Sequence, residues 1–393
     1  MYLRTADDAT QALEPISLFN QPTWYPSLQG ISGQRVRIPL WIIAHRKNNL
    51  SDVRTALAEG ANALECDLRW DGRRFVVQHD RSERPFDFIQ WLLGVRGLRT
   101  QYPNLSLVIF DYKEPENERV KLIMGQIREH LTSSQDRMPL DILISLGDWN
   151  SRQILEPLFK NLAPHEGVAI DQDVTPQQSS QYFDDRFREL GVRNRNQAYG
   201  NGRLVIGREG NRRKQIMDAV ALKSLEEKIK FVYVWTLGQR DSVAEYLNIG
   251  VDAVFVNNPQ IALDVVNRTP FLDRYRLAGR TDRVFQPPSI PAYVLTVRTG
   301  DRRHAGTDAN LTFRLVGEGG HEASTRINTF KPGLFERGSI DLVTLRGMEI
   351  GRPVRLIVSR NRSGNAPGWF LETIEVRRPG DTGRYTFRFN HLI

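Results

Sequence analysis

The sequence predicts an α/β fold, a closed (β/α)8 TIM barrel, followed by an all-β sandwich. Three observations carry that expectation. Eight short apolar runs alternate with helical patterns between residues 41 and 256. Alternation at this spacing gives a parallel sheet, and eight units suffice to close it. A proline-rich stretch, Gln286-Pro-Pro-Ser-Ile-Pro291, then marks a change of composition. Beyond it, short alternating runs separated by turn residues read as a β-sandwich.

Each element follows in order. Residues 1–39 carry Pro15, Pro22 and Pro26 with little periodicity and read as an N-terminal arm packed on the barrel. The barrel occupies 40–280, with strands expected at 41–44, 62–67, 106–111, 141–146, 167–171, 202–206, 231–236 and 252–256. Helical patterns run from Ser51 to Glu59, Phe86 to Leu98, Glu118 to His130, Ser151 to Lys160, Gln178 to Leu190, Arg212 to Lys228 and Arg240 to Asn248. The run 74–78 follows a tight Asp71-Gly72 turn, so it is a hairpin partner and not a ninth barrel strand. It would carry His79 back over the barrel mouth. Residues 281–291 read as a linker and 292–393 as the sandwich. Its strands are expected at Tyr293–Arg298, Leu311–Val316, Ser339–Leu345, Val354–Ser359, Phe370–Val376 and Tyr385–Phe389.

Composition narrows the class. With 393 residues, 40% hydrophobic and 25% charged, the chain reads as a soluble globular protein of two or three domains. No apolar run is long enough to cross a bilayer, and the N-terminus lacks the pattern of a signal peptide. The single cysteine, Cys66, excludes an internal disulfide and reads as barrel packing rather than a nucleophile. The net charge is +8, and residues 292–393 carry 16 Lys/Arg against 10 Asp/Glu. That basic module suits an anionic surface. It lacks the interleaved aromatics that strand stacking on a nucleic acid needs.

Chemistry concentrates at the ends of the expected strands. His45 follows Trp41-Ile-Ile-Ala44, Glu65 and Asp67 end the second run, and Asp111 and Lys113 end Leu107-Val-Ile-Phe-Asp-Tyr-Lys. Trp235 and Asn257 end two later strands. Buried charges must pair or bind a metal. Three carboxylates without a cysteine or histidine cluster favour a hard cation, magnesium or calcium. Glu65 and Asp67 alternate to one strand face, as joint ligation requires. His45 and His79 would serve as acid and base, each contributing about a hundred- to ten-thousand-fold. Lys113 either neutralises a phosphate oxygen or pairs with Asp111. Tyr233 and Trp235 either face the substrate or fill the barrel, and Asn257 either meets the substrate or turns the chain. The set suits phosphodiester cleavage.

The order His45, Glu65-x-Asp67, His79, Phe110-Asp111-x-Lys113, Tyr233-x-Trp235-Thr236 and Gly250-Val-Asp-Ala-Val-Phe-Val-Asn257 resembles the sphingomyelinase D/phospholipase D family. That family holds the spider-venom toxins and lies within the glycerophosphodiester phosphodiesterase-like superfamily. The resemblance covers roughly residues 40 to 275 and is specific as a spaced set. It implies a magnesium-dependent barrel that acts on choline-bearing lipids by transphosphatidylation, leaving a cyclic phosphate. It further implies that Glu65, Asp67 and Asp111 bind Mg2+ and that His45 and His79 transfer protons. Lys113, Tyr233, Trp235 and Asn257 would line the substrate pocket, where aromatic faces attract a quaternary ammonium. The same resemblance favours a secreted location; with no signal-peptide pattern visible, the alternative is the cytoplasm.

The phrases Val297-Arg-Thr-Gly-Asp, Ala305-Gly-Thr-Asp-Ala-Asn310, Phe335-Glu-Arg-Gly-Ser and Pro367-Gly-Trp-Phe-Leu resemble the PLAT/LH2 domain shared with lipoxygenases and lipases. This implies docking to a lipid surface, in some members through Ca2+. Asp308, Asn310 and Asp341 are then either Ca2+ ligands or turn residues. The expected protein is a monomeric, peripheral lipid phosphodiesterase with a phospholipid or sphingolipid substrate and no nucleic acid partner. The alternatives are a glycerophosphodiester phosphodiesterase acting on deacylated diesters, or an inactive lipid-binding protein.

Overall fold

The computed structural model describes residues 33–114, 119–132, 140–146, 162–172, 197–202, 209–226, 229–329, 333–361, 363–364 and 368–393. Eleven strands make one sheet: β1 (Ile38–Ala44), β2 (Ala63–Trp70), β3 (Phe75–Val77), β4 (Phe86–Asp87), β5 (Leu107–Tyr112), β6 (Asp141–Leu146), β7 (Glu166–Gln172), β8 (Gln197–Gly202), β9 (Phe231–Leu237), β10 (Ala253–Val256) and β11 (Tyr275–Leu277). Eight of them, β1, β2 and β5 to β10, run parallel, each bonded to the next. β10 returns to β1, so the ring closes as the predicted barrel. β3 pairs antiparallel with β2, and β4 with β3, as the Asp71-Gly72 turn implies.

The described helices are α1 (Leu50–Ala58), α2 (Phe88–Leu98), α3 (Val120–His130), α4 (Glu209–Glu226), α5 (Arg240–Ile249), α6 (Pro259–Val266) and α7 (Phe271–Arg274). Three have side-chain caps, one of them at the head of α6, where Asn258 Oδ1 accepts from Gln260 N–H. Asn49 Oδ1 accepts from Asp52 N–H, and Asp87 accepts from Gln90 N–H. The Asp87 cap starts α2 two residues later than the apolar pattern suggests. Among the described residues, no helix is long and apolar enough to cross a membrane.

Alternation sorts the barrel strands into two faces wherever their side chains are described. Trp41, Ile43, Leu107, Ile109, Phe231, Tyr233 and Phe255 form one cluster. Ile42, Leu64, Cys66, Val108, Phe110 and Val232 belong to another. The first fills the barrel and the second packs under the helices. Cys66 is therefore buried packing, and burial pushes its thiol up.

Four expectations need correction. The sixth barrel strand includes Gln197–Gly202, earlier than the expected 202–206, of which residues 203–206 lie outside the described residues. Pairing with both β7 and β9 sets its place, although the apolar run Arg203-Leu-Val-Ile206 has the stronger β propensity. The start of the expected 281–291 linker is barrel core, because Val284 and Phe285 join Ala278 in the barrel-filling cluster. Asp141 holds that plug by accepting from Val284 N–H at 2.7 Å and pairing with Arg283. Of the N-terminal arm's described end, residues 33–36 are bonded to the sandwich, and Ile38 and Pro39 already belong to β1. Gly33 N–H donates to Glu349 O and Val36 N–H to Gly347 O. β14 (below) was not expected at all. The helices expected at Ser151–Lys160 and Gln178–Leu190 lie outside the described residues.

Beyond the plug come β12 (Ala292–Thr299), β13 (Leu311–Gly317), β14 (Glu322–Ile327), β15 (Ile340–Arg346), β16 (Pro353–Arg360), β17 (Phe370–Arg377) and β18 (Arg384–Leu392). They form an antiparallel sheet in the order β15-β12-β17-β18 and another in the order β14-β13-β16. Phe313, Phe335 and Trp369 meet edge-on or tilted in the core, and Trp369 Nε1 donates to Thr299 Oγ1 at 3.0 Å. β15 lies along α4, so one sheet of the sandwich is packed on the barrel's helical layer.

Candidate active site

The barrel's inward face extends upward into chemistry. After Trp41 and Ile43 the next inward position is His45. Glu65 and Asp67 follow Ala63, Asp111 and Lys113 follow Leu107 and Ile109, Trp235 follows Tyr233, and Asn257 follows Phe255. These are the carboxyl ends of parallel strands, where barrel enzymes place their groups.

Adjacent register sets Asp67 of β2 beside Asp111 of β5. Carboxylate oxygens of Glu65, Asp67 and Asp111 lie within 4.8 Å of one another. Glu65 and Asp67 are 2% and 1% exposed. The loop after β1 aims them: Arg46 N–H donates to Glu65 Oε2 at 2.6 Å. Asn48 Nδ2 donates to Asp67 Oδ2 at 2.9 Å, and Asn48 Oδ1 accepts from Asp67 N–H at 3.0 Å. Arg46 has φ +53, a left-handed turn that brings its N–H round to Glu65.

Burial pushes the Glu65 carboxyl well up, and Asp67 and Asp111 add to the push. Burial also raises Asp111, against the pull of Lys113. Burial works to lower the Lys113 ammonium, yet Asp111 and Asp67 together hold it above its usual range. Lys113 reaches both, with Asp67 Oδ1 at 3.0 Å. It is thus a carboxylate partner in this state. Three carboxylates, Glu65 and Asp67 buried and Asp111 partly so, against one ammonium leave negative charge uncompensated, and the Asp111 Oδ1 atom is buried with no hydrogen-bond partner. An all-oxygen donor set of this kind fits a hard divalent cation.

The two imidazoles flank this set. His45 Nδ1 lies 2.9 Å from Asn257 Oδ1. With that oxygen accepting, Nδ1 carries the proton and Nε2 keeps its lone pair. Burial lowers the His45 pKa to about 4 although the Asn257 bond opposes it, and Asp67 and Lys113 both act on it through space. His79 Nδ1 lies 3.0 Å from Asp80 Oδ2, and its backbone N–H donates to Glu83 Oε2 at 3.0 Å. Arg46 Nη2 touches His79 Nε2. A guanidinium only donates, so this ring nitrogen is the acceptor.

The remaining predicted residues divide. Tyr233 is fully buried and stacked on Phe255, centroids 5.3 Å apart, inside the barrel. Trp235 is only partly buried, and its Nε1 has no hydrogen-bond partner. Asn257 is exposed and holds His45. Arg46, Asn48, Asp80 and Glu83 were not anticipated as site residues. Asn48 follows His45 by three residues and Asp80 adjoins His79, which is the only local signal either gives.

In the sandwich, Asp341 is fully buried and already engaged. It accepts from Phe335 N–H at 3.0 Å, Ser339 Oγ at 2.6 Å and Lys214 Nζ at 3.2 Å. Asp308 and Asn310 stand instead against the 361–364 turn, where Asn310 N–H donates to Asn361 Oδ1 at 3.0 Å.

Known proteins were compared with this geometry. The sequence model for the dermonecrotic toxin SPH family matches residues 35–285, and that for the PLAT/LH2 domain matches residues 293–393. Dermonecrotic toxin SpeSicTox-betaIB1a of Sicarius peruensis is 22% identical over 274 residues, covering 63% of this chain and all of the toxin. Lipoxygenase homology domain-containing protein 1 of Mus musculus is 34% identical over 96 residues, which is 24% of this chain and only 5% of that protein. Among solved structures, a glycerophosphodiester phosphodiesterase from Parabacteroides distasonis superposes with a TM-score of 0.44 at 16% identity, covering 59% of this chain and 98% of its own. The chain belongs to the dermonecrotic toxin SPH family of sphingomyelinase D-like phosphodiesterases, and carries a PLAT/LH2 domain after the barrel.

Proposed function

We propose that this protein is a magnesium-dependent phospholipase D-type phosphodiesterase that removes the headgroup from sphingomyelin or lysophospholipids at a lipid surface. The observation that supports it most is the meeting of Glu65, Asp67 and Asp111 within 4.8 Å, with His45 and His79 in electrostatic reach of them. Those three carboxylates would hold the ion, which when bound supplies Lewis-acid polarisation of a phosphate oxygen. The chain's own groups supply the rest.

His45 is neutral and turns Nε2 to the site, so it takes the proton of the attacking hydroxyl. That hydroxyl belongs to the lipid, and its oxygen bonds to phosphorus. The bond from phosphorus to the headgroup oxygen breaks, and His79, once Arg46 has left Nε2 and that nitrogen has taken a proton from solvent, gives it to the headgroup oxygen while Asp80 Oδ2 stays at Nδ1. The products are a cyclic phosphate and the headgroup alcohol. Arg46 is exposed, and a phosphate oxygen would draw its guanidinium off His79 Nε2. Trp235 offers a ring face and an unused N–H at the headgroup end.

The sandwich would hold the barrel at the lipid surface. A calcium ion there would draw on Asp308 and Asn310, and would reach Asp341 only by displacing Lys214. On this reading the protein would act outside the cell, as the toxin resemblance favours, and as a monomer. Phosphorus NMR of products from sphingomyelin, lysophosphatidylcholine and glycerophosphocholine tests the reading, with EDTA as control. A cyclic phosphate from an intact lipid, abolished by EDTA, is the expected result. Turnover of the deacylated diester alone, or linear monoester as the first product, contradicts it.

A further inference from the structure

Asp252 is one of the buried carboxylates at the opposite end of the barrel from the metal-ligand set. Asp252 opens β10 and is bonded to both strands beside it. Its backbone O accepts from Trp41 N–H of β1 at 3.0 Å, and its N–H donates to Val232 O of β9 at 2.8 Å. Its Oδ2 accepts from Val232 N–H at 2.9 Å. The far ends of these three strands carry His45, Trp235 and Asn257.

The charge of Asp252 is balanced from outside the barrel sheet. Lys223 of α4 meets Oδ2 at 2.5 Å. Arg346, the last residue of β15 in the sandwich, puts Nη1 and Nη2 each 3.2 Å from Oδ1. Arg346 Nη1 also donates to Gly250 O. Both side chains of that pair are at most 5% exposed. Gly250 ends α5 at φ +102, and a Cβ there would stand 3.2 Å from Arg346 Cδ, so the turn is shaped to admit the arginine. The sandwich also grips the entrance to β1: Val36 N–H donates to Gly347 O and Glu349 N–H to Gln34 O, one and three residues past Arg346.

We propose that the sandwich domain is a positioning element of the active site, with Arg346 fixing, through Asp252, the base of the three strands that deliver His45, Trp235 and Asn257. Arg346 touches no reacting atom; it acts through Asp252 and the register of β10. Only the kinetic half of the test rests on the phosphodiesterase reading.

The experiment uses the full chain with Arg346→Met, Arg346→Lys, Asn257→Ala and the doubles. Hydrogen exchange is followed strand by strand, and kcat and KM are measured on a monomeric short-chain lysophosphatidylcholine, where docking to a surface plays no part. Arg346→Met should speed exchange along β1, β9 and β10 up to their rim ends while β5 and β6 stay protected. It should lower kcat about tenfold with KM nearly unchanged, and cost less than about twofold further in the Asn257→Ala background. Arg346→Lys should lie between, because an ammonium meets Asp252 without the guanidinium fork to Gly250. If Arg346→Met does not fold, Arg346→Lys carries the same cycle. Protection lost evenly over all strands, or kcat losses that multiply in full with Asn257→Ala, would overturn the proposal by making Arg346 merely structural. A wild-type chain that turns over no diester sinks the phosphodiesterase reading instead, and the exchange pattern alone then decides this one.

Discussion

Asp252 at the base of the barrel and the three acids at its rim are buried in opposite ways. At the rim, three acids share one ammonium, and burial with mutual repulsion drives Glu65 and Asp111 up. At the base, Asp252 alone meets two cations; burial works to raise it, but Lys223 and Arg346 carry it below the usual range. Burial brings Lys223 down to about 8 even beside that carboxylate. Asp252 is electrically complete, whereas the rim lacks positive charge. Burial alone therefore does not mark a functional carboxylate. The sign of the local balance does, because only an unbalanced set gains from a cation supplied from outside.

The largest effect that would break this contrast is on turnover. Glu65→Gln should bring phosphodiesterase activity to background. In EDTA it should raise Tm by a few degrees, since it removes a buried like charge while an amide oxygen still accepts from Arg46 N–H. The sign in pH follows. A carboxyl whose folded pKa is raised adds stability below its unfolded value, and loses it as pH climbs through the raised one. Metal-free wild type should thus lose Tm with rising pH through that window, and Glu65→Gln should flatten the loss. Calorimetry of both chains across the range reads this directly. Glu65→Gln less stable than wild type in EDTA would remove the claim of uncompensated charge.

Next come the imidazoles. His45→Ala and His79→Ala should each cost roughly a hundred- to ten-thousand-fold in kcat with little change in Tm. Normal rates in either variant would dissolve the proton-transfer roles. Asp252→Asn is the mirror image of Glu65→Gln. It strands two buried cations, so stability should fall by about 3–5 kcal/mol, measured by denaturant unfolding. A neutral outcome would mean that the base is no more balanced than the rim.

These contrasts were unevenly legible in the sequence. The rim could be read because period-two alternation carries an apolar inward face straight into His45, Glu65, Asp67, Asp111, Trp235 and Asn257. The base could not: Arg346 and Asp252 are 94 residues apart and join only across two domains. Arg46 and Asn48 sit in a loop whose turn, not its composition, aims them at Glu65 and Asp67. The strand at Gln197–Gly202 was missed because it has few side chains with strand preference, and its neighbours on both sides define it. β14 was missed because only Ala323, Thr325 and Ile327 face inward, too little apolar signal for a strand. Tyr233 and Trp235 share a face, and the sequence alone did not reveal that the first is barrel fill and the second reaches the rim.

The smallest predicted effect sharpens the same contrast at a single hydrogen bond. His45 is pulled to about 4 by burial, so it stays a free base well below neutrality. kcat/KM should hold level from pH 7 to about 5 and fall near 4, because that profile reports the free enzyme's base. A depressed histidine also contributes stability above its unfolded value, and gives it up as pH falls from about 6.5 toward 4. Asn257→Asp would put a carboxylate where the amide oxygen now accepts from Nδ1. It would import to the rim the balance found at the base, one anion holding a cation. The imidazolium gains a partner, so the acid limb of the kcat/KM profile should move upward by about one unit or more. An acid limb left at its wild-type position would show that burial alone, and not the partner at Nδ1, governs the base.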